Sequence, residues 1–76
     1  MITVKLYGLL RVESGIKEKQ LQAASVRDVL LQLEACGIPA KDLGGCVIIV
    51  NGKTASKRSR LTDGDTVVLM SPVAGG

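Results

Sequence analysis

Ser25-Val26-Arg27-Asp28-Val29-Leu30-Leu31-Gln32-Leu33 (residues 25–33) reads as an amphipathic helix, and what lies on either side of it decides the fold. Ser25 is a good N-cap, and Asp28 three positions later resembles the acid of a capping box with a shorter side chain. Val26, Val29, Leu30 and Leu33 fall at i, i+3, i+4 and i+7, a single apolar stripe that has to find a core. Gly37 predicts the C-terminal stop, and Pro39 prevents the helix from running on.

Upstream, Ile2, Val4 and Leu6 alternate with Thr3, Lys5 and Tyr7, the period of a half-buried strand. Gly8 breaks the alternation. A loop through Arg11, Glu13, Ser14 and Gly15 is expected, followed by a second strand over 16–22 that pairs with the first as a hairpin. Downstream, Lys41 to Gly45 reads as a connector and Cys46-Val47-Ile48-Ile49-Val50 as a β-branched strand. Asn51-Gly52 is a hairpin turn signal, with a short strand at 53–55 after it. Thr62-Asp63-Gly64-Asp65 marks another turn, and Thr66-Val67-Val68-Leu69-Met70 reads as the last strand. The order β-β-α-β-(β)-β predicts an α+β domain over residues 1–71. It has a mixed four- to five-stranded sheet with one main helix packed on one face. Residues 72–76 are expected to be a flexible C-terminal Gly-Gly tail.

The composition narrows the function. A chain of 76 residues is one small domain, which buries only about 60% of its unfolded surface and has little room for a deep cleft. Tyr7 is the single aromatic and the net charge is +3. A nucleic-acid binder needs a denser basic stripe, and a base-stacking one needs aromatics, so no nucleic-acid partner is expected. No stretch is apolar and long enough to span a bilayer, and the alternating N-terminus does not read as a secretory leader. A cytoplasmic protein with no membrane partner is expected. There is no His, which removes Ser-His-Asp and Cys-His arrangements and the usual metal sites. Cys36 and Cys46 are too few for a disulfide framework or an iron–sulfur ferredoxin, and read as two small buried thiols. Asp63 and Asp65 read as turn formers. Lys53, Lys57, Arg58 and Arg60 form the densest basic cluster, either a solvated turn region or the surface of a non-covalent RNA- or protein-binding module.

The two strands after the helix are apolar on both parities, yet one helix covers only one face of a sheet. If Ile48, Val50, Val67 and Leu69 face the helix, then Val47, Ile49, Val68 and Met70 face outward as an apolar patch. Such a patch usually meets a partner, with a loop or a second copy of the chain as the alternative cover.

The end of the chain is the other unusual feature. A chance Gly-Gly terminus arises roughly once in 200 chains. Pro72 stiffens the chain as it leaves the last strand, and the segment 72–76 reaches about 17 Å when extended. Gly75 and Gly76 have no side chains, so this backbone can thread a narrow channel. That suits a carboxylate delivered into another protein's active site. A frayed terminus is the plain alternative.

The residues together resemble a known family. Leu6-Tyr7-Gly8-Leu9-Leu10-Arg11-Val12-Glu13, Ser25-Val26-Arg27-Asp28-Val29-Leu30, Val50-Asn51-Gly52-Lys53, Leu61-Thr62-Asp63-Gly64-Asp65 and Pro72-Val73-Ala74-Gly75-Gly76 are similar to the small sulfur-carrier subunit of molybdopterin synthase. That family lies within the ubiquitin-like β-grasp group. The last two segments carry most of the specificity. Departures are Tyr7 where the family commonly has Phe, and Ser71 where its tails often have a first proline.

The resemblance implies that a ubiquitin-activating-type enzyme adenylates Gly76, and that a sulfur source turns it into a thiocarboxylate. The tail then enters the large subunit of molybdopterin synthase, where the sulfur passes to a pterin precursor. It implies no bound cofactor or metal, ATP used by the activating partner, and no catalytic groups on the chain beyond its terminus, Gly75-Gly76. Val47, Ile49, Val68 and Met70 would be partner-binding, together with Arg11 and the tail residues Pro72, Val73 and Ala74. The thiamine-pathway sulfur carrier and ubiquitin-like protein modifiers are near relatives with the same Gly-Gly end.

Overall fold

A computed structural model describes residues 1–71. The strands are β1 (Ile2–Tyr7), β2 (Glu18–Leu21), β3 (Val47–Val50), β4 (Lys53–Thr54) and β5 (Thr66–Met70); the helices are α1 (Leu9–Ser14), α2 (Val26–Ala35) and α3 (Ala40–Gly44). The sheet order is β2-β1-β5-β3-β4. β1 and β5 run parallel at its centre, and the other neighbours are antiparallel. A mixed sheet gripping one main helix is the β-grasp architecture expected from the sequence.

The helix forms as its sequence predicts. Ser25 Oγ accepts from the Asp28 N–H at 3.3 Å, and Asp28 Oδ2 accepts from the Ala24 N–H at 3.1 Å. Thus two of the donors around the helix start are satisfied. At the other end the Gly37 N–H bonds to Glu34 O and the Ile38 N–H to Leu33 O, the paired bonds of a Schellman stop. Ile38 and Leu33, which that motif brings together, are both buried. The stripe Val26, Val29, Leu30 and Leu33 meets Ile2, Val4 and Leu6 of β1, Leu21 of β2, Ile48 of β3, and Val67 and Leu69 of β5 in one aliphatic core. Asn51 and Gly52 both take positive φ, 50° and 82°, as a two-residue turn between twisted strands requires.

Several sequence expectations are corrected. Residues 9–14, expected as loop, form α1, and 40–44, expected as connector, form α3. Each is a single short turn or two anchored by one buried leucine, Leu10 and Leu43, so neither is long enough to display a helical period. Pro39, which stops α2, also occupies the N-cap position of α3. β2 is shorter than 16–22 and β3 starts one residue after Cys46. β4 ends at Thr54, although the Ala55 N–H still bonds to Ile48 O at 2.9 Å. The two thiols are not both buried. Both are free, but Cys36 is exposed because it caps the outer end of α2. Cys46 is half-buried, and its Sγ donates to Leu43 O at 2.9 Å. Burial pushes the Cys46 thiol up from its usual pKa, against smaller opposing effects of a backbone hydrogen bond and Lys57.

Candidate functional site

The site is built on the face of the sheet that no helix among the described residues covers. Because side chains alternate along a strand, register decides which residues share that face. Val47 of β3 pairs with Met70 of β5, and Met70 pairs with Tyr7 of β1. The next row runs Ile49, Val68, Lys5, with Thr54 of β4 beyond Ile49 and Glu18 of β2 beyond Lys5. The row after that is Thr66, Thr3, Gln20 and is polar throughout. Ile48, Val67 and Leu69, on the opposite parity, are buried under α2, and Val50 packs against that core from its margin.

The structure therefore brings Val47, Ile49, Val68 and Met70 together on one open face, one of the two parities that these continuous apolar runs leave open in the sequence. Val47 is 42% exposed, and Ile49, Val68 and Met70 are half-buried among one another. The polarity is graded. The least polar row lies at the C-terminal end of β5, where the chain leaves the sheet, and the most polar row lies at its start.

Tyr7 belongs to this face and was missed in the sequence reading of the patch. It is 41% exposed and closes the apolar row beside Met70. The alternation of β1 carried the signal: with Ile2, Val4 and Leu6 facing inward, Tyr7 has to face outward.

Arg11, singled out beside the first strand, sits on α1 and is exposed. It lines a small hollow of about 90 Å³ with Lys5, Leu6, Tyr7, Lys17 and Glu18. Three cations against one carboxylate thus flank the tyrosine end of the apolar row. The surface suits a protein partner with an apolar centre and an acidic margin. The remaining candidates, Pro72, Val73, Ala74, Gly75 and Gly76, lie outside the described residues.

Other groups serve the frame. Asp65 Oδ2 accepts from the Thr62 N–H at 2.9 Å, and its Oδ1 accepts from Asn51 Nδ2 at 2.9 Å. The Thr62 backbone bond, followed by the Asn51 amide, holds the Asp65 carboxyl below the usual carboxylate range. Asp63 pairs with the N-terminal amine of Met1. Both aspartates tie the 62–65 turn, as turn formers do. Lys57 and Arg58 of the basic cluster lie with Arg27, Leu30, Leu31 and Glu34 around a broad shallow groove on the helix side. Among the described residues no helix is long and apolar enough to cross a membrane, and no group of three metal-ligating side chains is gathered.

A family model, the ThiS family, matches residues 4–76. No curated protein matches the chain. Among solved structures, small archaeal modifier protein 1 of Methanosarcina acetivorans is similar at 28% identity with a TM-score of 0.82, over 99% of this chain and 95% of that one. A chain of the BexX/CysO complex of Amycolatopsis orientalis is similar at 25% identity and a TM-score of 0.80, over 100% of both chains. A chain of the complex of subunits 1 and 2 of molybdopterin-converting factor from Helicobacter pylori shares the fold, at 24% identity and a TM-score of 0.74 over 99% of this chain and 97% of that one.

Proposed function

Since this chain belongs to the ThiS family, we propose that it is a sulfur carrier whose working group is the carboxylate of Gly76. One observation carries the reading: the family match runs through Gly76, and the least polar row of the open sheet face lies at the end of β5 from which the chain continues toward that residue. A partner seated on Tyr7, Val47, Ile49, Val68 and Met70 is thereby next to the root of the segment it has to act on.

The chemistry follows from what a carboxylate lacks. It is a poor acyl donor until its oxygen becomes a leaving group. A Gly76 carboxylate oxygen attacks the α-phosphorus of ATP held by an adenylating partner, and pyrophosphate leaves. A sulfide-level nucleophile then adds to the acyl carbon and AMP departs with that oxygen, leaving a thiocarboxylate. The chain supplies the carboxylate and the docking face; the partner supplies ATP and the catalytic groups. The recipient we assign is a pterin precursor, with the chain acting as the small subunit of molybdopterin synthase in the cytoplasm. The resemblance of Pro72-Val73-Ala74-Gly75-Gly76 to that family's tail favours this choice over the thiamine-pathway carrier. The similarity to an archaeal modifier protein supports a second reading, in which the same activated carboxylate is passed to lysines of other proteins.

Intact-mass measurement of the chain purified from its native cells tests the proposal. It should show a fraction heavier by one oxygen-for-sulfur replacement. Deleting Gly76 should remove that fraction and all sulfur transfer while the thermal melt is unchanged. Full transfer by the deletion variant would overturn the carrier reading. Conjugates to cell proteins that vanish with Gly76, without any thiocarboxylate, would select the modifier reading.

A further inference from the structure

Helix α1 has no N-cap of its own, because Gly8 in that position brings no side chain. The orphan donor is satisfied from the far end of the chain: the Leu9 N–H donates to Ser71 Oγ at 2.7 Å, between residues 62 apart in sequence. Ser71 follows directly on β5 and is the last residue described. The approach depends on Gly8. Its φ of 66° with ψ of −144° is a conformation essentially reserved for glycine. A Cβ built on it would stand 2.5 Å from Ser71 Oγ. The glycine, the hydroxyl and the start of α1 form one latch.

The geometry points to Ser71 as a positioning residue: its hydroxyl, by capping α1, fixes the point from which residues 72–76 set out. The inference deepens the sulfur-carrier reading and rests on it. β5 pairs with β3 and β1 only as far as Met70, so Ser71 is held by no strand register. With Leu9 engaged, the root of the tail is tied to the helix that also bears Arg11, at the tyrosine end of the apolar row. A partner docked on that face then meets the tail at a set origin instead of searching for it, an advantage of preorganisation.

The test uses the full chain as wild type, Ser71→Ala and Ser71→Thr. Amide hydrogen exchange at Leu9 should accelerate about fivefold in Ser71→Ala, the equivalent of one net hydrogen bond, and return toward wild type in Ser71→Thr. The Val4 and Leu69 amides should not change, which shows that the fold is intact. With the adenylating partner and ATP, pyrophosphate release should show KM for the chain raised about fivefold in Ser71→Ala with kcat unaltered, and Ser71→Thr should restore it. Equal Leu9 exchange in wild type and Ser71→Ala would overturn the latch. A freed Leu9 with unaltered KM would overturn the positioning role. A wild-type chain that supports no pyrophosphate release overturns the carrier reading and with it the positioning role, while the exchange measurement still decides whether the latch exists.

Discussion

Truncating Tyr7 to alanine asks whether the open sheet face is where the proposed adenylating partner sits. A tyrosine side chain presents on the order of 200 Å², and Tyr7 leaves 41% of its surface exposed, so about 80 Å² is available to a partner. At ~25 cal/mol per Å² that surface contributes about 2 kcal/mol when covered, and its loss weakens binding about thirtyfold. The fold should tolerate the change, because a strand position open to solvent costs about 1 kcal/mol or less and Tyr7 lies outside the buried core. Leu31→Ala is the matched control. Leu31 is also an exposed apolar residue, at 53%, but it lies on the helix side with Arg27 and Lys57. Isothermal titration of the full chain into the proposed adenylating partner, with thermal melts of both variants, reads the outcome. Tyr7→Ala binding within twofold of wild type, or a larger loss for Leu31→Ala, would refute docking on the sheet face.

Leu33→Ala removes a fully buried side chain from the α2 stripe; we expect a loss of about 3 kcal/mol and a Tm lower by roughly 15 °C, with a loss under 1 kcal/mol showing that α2 is not the centre of the core. Asp65 has a folded pKa below its unfolded one, so it contributes stability that is full above the ordinary carboxylate range and is lost as pH falls through the lowered value. Urea midpoints of Asp65→Asn should therefore lie below wild type at neutral pH and converge with it below about pH 4; a constant offset at every pH would contradict this. An alkylating reagent should label exposed Cys36 well before half-buried Cys46, whose thiol burial pushes up, and peptide mapping that finds Cys46 labelled first would reverse the assignment.

What could be read from the sequence, and what could not, has a common physical cause. A periodic run is legible where it is long enough to select a face. The four-point stripe of α2 and the alternation of β1 specify both an element and its buried side, whereas the run 66–70, apolar on both parities, specifies only a strand, and it is the register that places Val47, Ile49, Val68 and Met70 on one side together. α1 and α3 were not legible because six and five residues bearing one buried leucine each have no period to detect; tertiary contact holds them. Cys36 was misread because residue type predicts burial only on average, and a helix end turned to solvent overrides it. The latch at Ser71 lay furthest from reach. A serine after a strand and a glycine after another are each unremarkable in a sequence, and only the parallel pairing of β1 with β5, which puts Tyr7 beside Met70, brings residues 8, 9 and 71 together. The same pairing explains why the candidate site is where it is. Parallel central strands end on the same side of the sheet, so Ser71, Tyr7 and the start of α1 with its Arg11 all emerge at one edge. A partner that recognises this edge meets the sheet's least polar row and Ser71, after which the chain continues to Gly76, in a single contact, without any cleft, which a chain of 76 residues has little core to build.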